Sequence, residues 1–341
     1  MPKKIKNLFY KNLTFQKLLE AHYRARKNKK FKNEIISFEL SLETNIINLL
    51  TIIKYHKYRP GNYRVFTIHE PKERIIKALP YIDRIVHQWY VEEFIKPYIV
   101  PKFISTSYAC IVNRGTHKAV EKVQEYMKIC KRNYNDFWIL KCDIKKFFYN
   151  IDKKILFEIM KKYIKDKELL YFTQTIIFDT TEQIGIPIGN YTSQYFANIY
   201  LNELDQFVKR HLHLKYYVRY MDDFVILLHD KNECIKIKEI IEKFVIENLH
   251  LELNEKTRYY PAKMGVNFCG YRIFTTHKLI RKSSKTKIKN KIKKWNKLYK
   301  KQNINFKELQ MQFTSWLGHA KHSNSYNLIK YLIQKGEFFY K

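Results

Sequence analysis

The chain has 341 residues, which is enough for two or three domains with a sizeable core. Hydrophobic residues make up 45% of it and aromatic residues 16%, a composition that excludes a disordered chain. The 65 lysines and arginines exceed the 32 aspartates and glutamates, and this net charge of +33 favours a nucleic-acid partner over a membrane surface.

Apolar spacing predicts a mixed α+β fold, with helices around a small, mainly antiparallel sheet. Taken in chain order, we expect helices over most of 13–60, a strand over 62–69, and helices over 80–98 and 115–130. A strand over 138–143, a long helix over 190–210 and a hairpin over 216–228 follow. A helix over 232–248 and basic helices from about residue 284 complete the prediction.

The most informative stretch is the acidic pair in Tyr220-Met221-Asp222-Asp223, which lies between two apolar runs. Adjacent carboxylates in apolar surroundings are costly unless a cation neutralises them. Asp143 ends the apolar strand over 138–143 and adds a third carboxylate. Two Mg²⁺ ions held by such carboxylates can catalyse template-directed nucleotidyl transfer. The alternative is that Asp143 caps an element and that Asp222 and Asp223 form a solvated turn.

A glycine- and proline-containing loop over 185–194 leads into the helix predicted over 190–210. Such a loop can lie close to a nucleotide and a template base. The alternative is an ordinary helix start at which Thr192 or Ser193 serves as the cap.

These segments resemble the palm motifs of reverse transcriptases, in that family's order. The resemblance matches Asp143 to the first metal aspartate and Tyr220-Met221-Asp222-Asp223 to the metal-binding box. It also implies that Ile144 lends a backbone carbonyl to the metal. Phe148 matches the aromatic gate that excludes a ribose 2′-hydroxyl, although it could also be a core aromatic.

Further segments extend the resemblance over roughly residues 60–275. Leu253-Asn254-Glu255-Lys256-Thr257 is similar to the segment in which a lysine, here Lys256, acts as general acid towards the leaving pyrophosphate. An exposed surface lysine is the alternative. The family's primer grip, for which a plain tight turn is the alternative, corresponds to Phe268, Cys269, Gly270 and Tyr271.

The resemblance also indicates which residues bind the nucleotide. In the fingers, Arg74 is expected to hold the triphosphate, because a guanidinium pairs with phosphate through two hydrogen bonds. Lys72 and Arg84 are the second candidates there. The other expected nucleotide-binding residues are Phe148, Ile188, Gly189, Ser193 and Gln194.

The loop Ile188-Gly189-Asn190-Tyr191-Thr192-Ser193-Gln194 narrows the resemblance to reverse transcriptases of diversity-generating retroelements. Four other segments also resemble that subfamily, at 108–110, 115–119, 276–282 and 315–320. The subfamily makes cDNA from a template-repeat RNA and misincorporates opposite adenines, together with an accessory variability protein. Ile188 stands where most reverse transcriptases carry Gln. Our hypothesis is that the errors arise because an Ile side chain cannot form a hydrogen bond there, which loosens control of the incoming nucleotide. Tyr191 replaces an expected leucine.

The implied architecture is a right-hand polymerase in four segments. Residues 1–60 are a helical extension, 61–135 the fingers, 136–275 the palm with its loop and helix at 185–200, and 276–341 a basic helical thumb. Ile288, Ile292, Trp295 and Leu298 fall on one side of the helix from Lys285 to Lys301, which fits a thumb or an ordinary packing helix. The end at Lys341 leaves no room for a ribonuclease H or endonuclease domain.

The leading hypothesis is an RNA-directed DNA polymerase that uses two Mg²⁺ ions, template RNA, a cDNA primer and deoxynucleoside triphosphates. A phage-defence or retron enzyme is the nearest alternative. A non-catalytic RNA-binding scaffold and a metal-dependent nuclease are the alternatives from other classes. With five scattered cysteines, no apolar N-terminal stretch and no run of ~20 apolar residues, we expect no membrane partner and a location in a reducing cytoplasm. The resemblance implies that the protein is bacterial or phage-encoded.

Overall fold

The computed structural model describes residues 4–69, 73–301 and 305–340, with side chains up to residue 338. In these ranges the helices are α1 (Phe9–Asn12), α2 (Phe15–Ala25), α3 (Asn33–Glu39), α4 (Leu42–Lys54), α5 (Tyr81–Tyr90), α6 (Lys96–Tyr98), α7 (Thr116–Tyr134), α8 (Phe147–Asn150), α9 (Lys153–Tyr163), α10 (Lys167–Ile177), α11 (Tyr191–Gln206), α12 (Lys231–Leu249), α13 (Lys282–Lys300), α14 (Phe306–Ala320) and α15 (Tyr326–Lys335). The strands are β1 (Arg64–Ile68), β2 (Arg74–Ala78), β3 (Trp138–Asp143), β4 (Tyr217–Tyr220), β5 (Asp223–Leu228), β6 (Arg258–Pro261), β7 (Val266–Phe268), β8 (Tyr271–Ile273) and β9 (Lys278–Ile280).

The predicted α+β class is confirmed, and the strand predicted over 138–143 begins and ends as expected. Instead of the single predicted sheet, the residues that the structure describes form three sheets, with strand orders β1-β2, β4-β5-β3-β6 and β7-β8-β9. The pairs β1-β2, β3-β6, β4-β5, β7-β8 and β8-β9 are antiparallel. Helices α9 and α10 were not predicted, although buried residues recur along both at helical spacing.

The chain divides into two compact units, each built from three chain segments. The first unit contains Met1–Ile111, Asp143–His213 and Ile240–Glu255. It is mainly helical and carries the β1-β2 hairpin. Its core includes a cluster of four aromatic residues, Phe9, Trp89, Phe94 and Phe172. The ring centroids of the contacting pairs in this cluster lie at most 6.4 Å apart.

The second unit contains Val112–Cys142, Leu214–Glu239 and Lys256–Lys341. It carries the four-stranded and three-stranded sheets, and helix α7 packs against β4, β5 and β8. Strands β4 and β5 are almost entirely buried. The turn that joins β4 to β5 is therefore held by two well-packed strands.

The C-terminal helices of the second unit enclose a small core of their own. The predicted apolar face of α13 is confirmed, because Ile288, Ile292 and Trp295 are buried and Leu298 packs beside them. Their partners come from α14, α15 and the last turn: Leu309, Phe313, Leu332 and Phe338. This packing leaves lysines of α13 on the exposed side.

Two further sequence expectations concern cysteines and membranes. All five cysteines are free thiols. Among the described residues, no single helix is both long and apolar enough to cross a membrane. Asn33–Glu39 and Leu42–Lys54 reach that length and composition only when taken together, and a 91° bend separates them.

Candidate functional site

The predicted acidic turn joins β4 to β5 in the second unit. Tyr220 pairs with Asp223, so Met221 and Asp222 form a two-residue turn between the strands. Met221 has a positive φ of 56°. A non-glycine residue in this region costs about 1–3 kcal/mol and is common at functional sites. The predicted order of strand, acidic turn and strand is confirmed.

A buried arginine supports this turn. Arg219 is fully buried, and its guanidinium donates to the carbonyl of Met221 at 2.9 Å. A charge-assisted bond of this kind holds the turn's backbone in its unusual conformation. Arg219 was not predicted from the sequence, where it stands as a lone cation in the apolar run before the acidic pair.

Asp223 has a cationic partner on another strand of the same sheet. The ammonium of Lys141, on β3, forms an ion pair with the carboxylate of Asp223 at the start of β5. β3 and β5 are neighbours in the sheet. The same ammonium lies 5.4 Å from the centroid of the Phe268 ring, within the range of a cation–π contact. Lys141 was also missed, although it is the one charged residue between Trp138 and Cys142.

Asp143 is the last residue of β3 and belongs to the first unit. Its carbonyl accepts the amide of Asn254 at 2.7 Å, and the amide of Lys145 donates to the carbonyl of Glu252 at 2.9 Å. These two bonds flank the antiparallel bridge between Ile144 and Leu253. In such a bridge the central residue keeps its own carbonyl out of the pairing. The carbonyl predicted to reach a metal is therefore not used by this bridge.

The predicted metal ligands are carboxylate and carbonyl oxygens, which are the donors that Mg²⁺ prefers. Asp143 lies in the first unit, and Asp222 and Asp223 lie in the second. In the part of the chain that the structure describes, no group of three or more histidine, cysteine, aspartate or glutamate side chains could hold a metal ion. By donor chemistry the residues fit Mg²⁺, and a shared two-metal centre stays a prediction.

Phe148, the predicted gate, is half-buried in α8 and meets Phe147 edge to face with the ring centroids 5.6 Å apart. Its carbonyl accepts the amide of Ile186 at 2.8 Å, and the amide of Gly185 donates to Ile151 at 2.7 Å. The gate segment and the loop over 185–194 are thus joined directly through their backbones.

The same loop is also bonded to strand β2. The amide of Lys77 donates to the carbonyl of Ile188 at 3.0 Å. Gly189 has a φ of 128°, and a Cβ there would lie 2.9 Å from the carbonyl oxygen of Lys77. Gly189 is therefore required by the approach of β2 as well as by its backbone conformation.

Helix α11 does not start as the alternative reading supposed, because its N-cap is Asn190 rather than Thr192 or Ser193. The hydroxyl of Thr192 instead contacts Nδ1 of His87 at 2.8 Å. Ser193 is buried, while Gln194 is exposed and accepts the thiol of Cys110 at 3.3 Å. The sequence could not show this, since all three residue types are polar and close to the helix start.

A basic cavity of about 350 Å³ opens beside this helix start in the first unit. Its cations come from the connection between α2 and α3, from β1 and from α5, and residues of the loop and of the start of α11 complete the lining: Lys29, Lys32, Arg64, Arg84, Gly189, Asn190 and Gln194. Arg84 also pairs with Glu34 at 2.9 Å. A concave surface with this charge suits the phosphates of a nucleic acid or nucleotide.

The remaining nucleotide contacts are placed as follows. Arg74 is exposed at the first residue of β2 and pairs with Ile68 across the hairpin. Lys72 lies outside the described residues. Lys256 is exposed in the turn before β6. Their roles stay predictions.

The predicted primer grip is the hairpin of β7 and β8 in the second unit. Cys269 and Gly270 form its two-residue turn, and both have positive φ, 47° and 87°, as a type I′ turn requires. Phe268 and Tyr271, which flank the turn, are buried. Burial also raises the pKa of the Cys269 thiol to about 12, so this thiol stays protonated at neutral pH.

Two histidines contact Tyr271, and a third stacks on one of them. Its hydroxyl lies 2.9 Å from Nδ1 of His319 and 3.2 Å from Nδ1 of His117, and it donates to the carbonyl of His319 at 2.8 Å. The ring of His322 stacks on His117 with the centroids 3.6 Å apart. This cluster joins α7, the hairpin and the end of α14, and no sequence pattern indicated it.

Comparison with known proteins identifies the family. The family model described as reverse transcriptase (RNA-dependent DNA polymerase) matches residues 67–273, which is more than half of the chain. The match includes Asp143, the acidic hairpin and the hairpin of β7 and β8.

Curated relatives are distant and longer. The group II intron-encoded protein LtrA of Lactococcus lactis subsp. cremoris is 25% identical over 328 residues, covering 74% of this chain and 52% of the relative. A COX1/OXI3 intron 2 protein of Saccharomyces cerevisiae is 23% identical over 282 residues, covering 63% of this chain and 31% of the relative. The chain thus spans about half or less of the length of these relatives.

Among solved structures, telomerase of Candida albicans in complex with a fragment of telomeric RNA is similar at a TM-score of 0.48 and 12% identity. The similarity covers 74% of this chain and 55% of that one. The family match is sufficient by its extent: this chain belongs to the reverse transcriptase (RNA-dependent DNA polymerase) family.

Proposed function

We propose that this chain is an RNA-directed DNA polymerase that extends a primer by two-metal nucleotidyl transfer. The observation that carries the proposal is the Asp222-Asp223 turn between two buried strands, inside the segment that matches the family. A turn that combines a positive φ, a buried supporting arginine and two carboxylates is costly. A solvated surface turn needs none of these features.

Asp143, Asp222 and Asp223, with the carbonyl of Ile144, would hold two Mg²⁺ ions. Bound there, the ions supply stabilisation of the attacking and leaving oxygens. The chain's own residues bind and orient the substrate. Arg74 and Lys72 hold the triphosphate, and Lys256 donates a proton to the leaving pyrophosphate.

Selection and alignment of the substrates fall to other residues. Phe148 blocks a 2′-hydroxyl by its bulk, while Ile188, Gly189, Ser193 and Gln194 border the nucleotide. Phe268 to Tyr271 align the primer end. On this proposal the fingers span 61–135, the palm 136–275 and the thumb 276–341, after a helical extension over 1–60. The family match over residues 67–273 supports this division.

Template RNA and cDNA are the proposed macromolecular partners. The net charge of +33 and the cavity lined by Lys29, Lys32 and Arg64 support binding to their phosphates. The protein acts in the cytoplasm of a bacterium on this proposal.

The finer role we propose is error-prone copying of a template-repeat RNA in a diversity-generating retroelement, with an accessory variability protein. Its support is Ile188, whose backbone is bonded to Lys77 and whose side chain offers no hydrogen bond. Intron mobility is the second candidate, because the L. lactis relative is encoded by a group II intron. A defence or retron enzyme, like an intron enzyme, is expected to copy its template accurately.

Primer extension on an adenine-containing RNA template tests both levels. Purified wild type with Mg²⁺ should make DNA, whereas Asp222→Asn should fold and make none. Absence of DNA from the wild type, with native RNA and accessory protein added, would contradict polymerase activity and favour an RNA-binding scaffold.

Sequencing the products separates the finer roles. Errors concentrated opposite adenines support diversification, and accurate DNA supports an intron, retron or defence enzyme. Ile188→Gln should lower the adenine error frequency. Ile184→Gln is the matched control, because Ile184 is an exposed isoleucine immediately before the loop. Equal error frequencies in the two variants would reject the role of Ile188.

A further inference from the structure

Asn190 occupies the N-cap of α11 without capping the helix. Asparagine is favoured at this position because its side-chain oxygen accepts a free amide of the first turn. Here the side chain makes no cap hydrogen bond, and its Nδ2 donates to the hydroxyl of Tyr63 at 2.7 Å. The start of α11 is therefore tied to a residue 127 positions earlier in the chain.

Tyr63 also contacts a buried ion pair. Its hydroxyl donates to Oδ2 of Asp179. On the other side of that carboxylate, the ammonium of Lys153 lies 3.4 Å from Oδ1 and donates to the hydroxyl of Thr180 at 2.8 Å. The Lys153 side chain is 0% exposed and the Asp179 side chain 3% exposed. We call these four residues, Lys153, Asp179, Tyr63 and Asn190, the buried relay.

Hydrogen-bond chemistry gives the buried relay one direction. An ammonium only donates and an ionised carboxylate only accepts. Tyr63 must therefore donate its single proton to Asp179, which leaves its oxygen to accept from Asn190. Asn190 must in turn present its amide nitrogen. One rotamer and one amide orientation of Asn190 satisfy every member.

Stability alone does not account for such an arrangement. Burial lowers the pKa of Lys153 and raises the pKa of Asp179, because both charged forms are costly away from water. Replacing a buried ion pair by apolar residues is often neutral or stabilising. The buried relay fixes the position and the amide orientation of Asn190, the residue at its end.

Asn190 lies in the middle of the segment that is proposed to border the nucleotide. Ile188 and Gly189 precede Asn190, and Ser193 and Gln194 follow it. The backbone of Ile188 is bonded to β2 through Lys77. The contact of Asn190 with Tyr63 attaches the segment at the start of α11, beside the contacts of Thr192 with His87 and of Gln194 with Cys110.

We propose that the buried relay is a positioning device that orients the segment 188–194 towards the incoming nucleotide. The proposal rests on the polymerase function proposed above. On this proposal the members of the buried relay are positioning residues, because they act through the segment 188–194 rather than on the reacting atoms. Loss of the relay should loosen nucleotide binding and selection before it affects the chemical step.

Tyr63→Phe is the main test, because it removes only the hydroxyl. We expect the KM for deoxynucleotides to rise by roughly 5- to 30-fold, the range that one lost buried hydrogen bond gives, with a much smaller change in kcat. Misinsertion should rise with it. Tyr58→Phe is the matched control, since the buried Tyr58 donates its hydroxyl to Asp83 at 2.8 Å in the same unit.

Asn190→Ser provides the second variant. Serine is as good an N-cap as asparagine but too short to reach Tyr63, so the helix start is kept while the contact is lost. The Tyr63→Phe/Asn190→Ser double variant should have the same KM as either single variant, because both changes break one chain of contacts.

Unchanged KM and misinsertion in Tyr63→Phe, or an equal change in Tyr58→Phe, would overturn the proposal. Hydrogen exchange of the amides over 186–194 gives a readout independent of activity. It should speed up in Tyr63→Phe and not in Tyr58→Phe. If the wild type makes no DNA, the polymerase proposal fails, and equal exchange in the two variants would separately reject the positioning of this segment.

Discussion

Lys141 on β3 and Asp223 at the start of β5 form an ion pair between neighbouring strands of one sheet. Their side chains are 15% and 32% exposed, so the pair is only partly screened by water. The lysine thus balances one carboxylate of the acidic turn by a contact within the protein.

Removing this lysine should destabilise the sheet. We expect Lys141→Met to lower the free energy of unfolding by about 1 kcal/mol, and Lys141→Met/Asp223→Asn to lose less than the sum of the single changes. Denaturant unfolding of the four proteins gives the coupling energy. Lys145→Met is the control, because Lys145 pairs with Glu252 at 2.7 Å at the exposed surface and should change little. Strict additivity would show that Lys141 and Asp223 do not interact.

Phe148 should control sugar selection. Phe148→Val removes the bulk that would clash with a 2′-hydroxyl, so the preference for deoxynucleotides over ribonucleotides should fall by roughly 10- to 100-fold. The ratio of kcat/KM values for a matched pair of nucleotides measures it. Phe147→Leu, at the fully packed neighbour, should lower stability and leave the ratio unchanged. An unaltered ratio in Phe148→Val would leave Phe148 as a core aromatic.

The exposed side of α13 should bind nucleic-acid phosphates. Lys293, Lys294 and Lys297 are exposed opposite the packed face, so changing all three to Gln should weaken RNA–DNA binding and make it less salt-dependent. Each lost phosphate contact should reduce the slope of log K against log salt by about 0.7–0.9.

Three exposed lysines of α12 form the comparison set for this experiment: Lys231, Lys236 and Lys243. Their replacement by Gln removes the same charge from the protein. An equal loss of slope in both triple variants would mean that net charge, rather than a thumb surface, governs binding.

The histidine cluster should make the second unit less stable in acid. Burial lowers the pKa of His117 and of His319, and neighbouring His322 and Lys278 lower that of His117 further, against a small opposing effect of Glu121. The folded state therefore binds protons more weakly than the unfolded chain. Its stabilising contribution is complete above the ordinary histidine pKa of about 6.5 and falls as the pH drops below it.

Thermal unfolding between pH 7.5 and 5.5 tests this sign. The wild type should lose stability across the range, and His319→Asn, which removes one titrating ring, should show a shallower loss. Parallel curves for the two proteins would exclude His319 as a source of the pH dependence.

Local patterns in the sequence were sufficient for most elements and for the chemistry of the turn. The strand at 138–143 and the hairpin that carries Asp222 and Asp223 were predicted because apolar, β-branched runs and a polar turn act over neighbouring residues. The apolar face of α13 was predicted from spacing alone. Within the described residues the strands form three sheets rather than the one expected, because strand partners are separated by long stretches of chain. Helices α9 and α10 were not predicted, although their buried residues recur at helical spacing.

The sequence by itself determined the acidic turn, the basic character of the chain and the family resemblance, since these depend on residue type and order. Only the tertiary structure decided that Lys141 faces Asp223, that Arg219 supports Met221, and that Asn190 contacts Tyr63 instead of capping α11. Polar side chains have several partners within reach along the chain. Which partner each takes depends on burial, because a buried donor or acceptor must be satisfied by whatever the fold brings beside it.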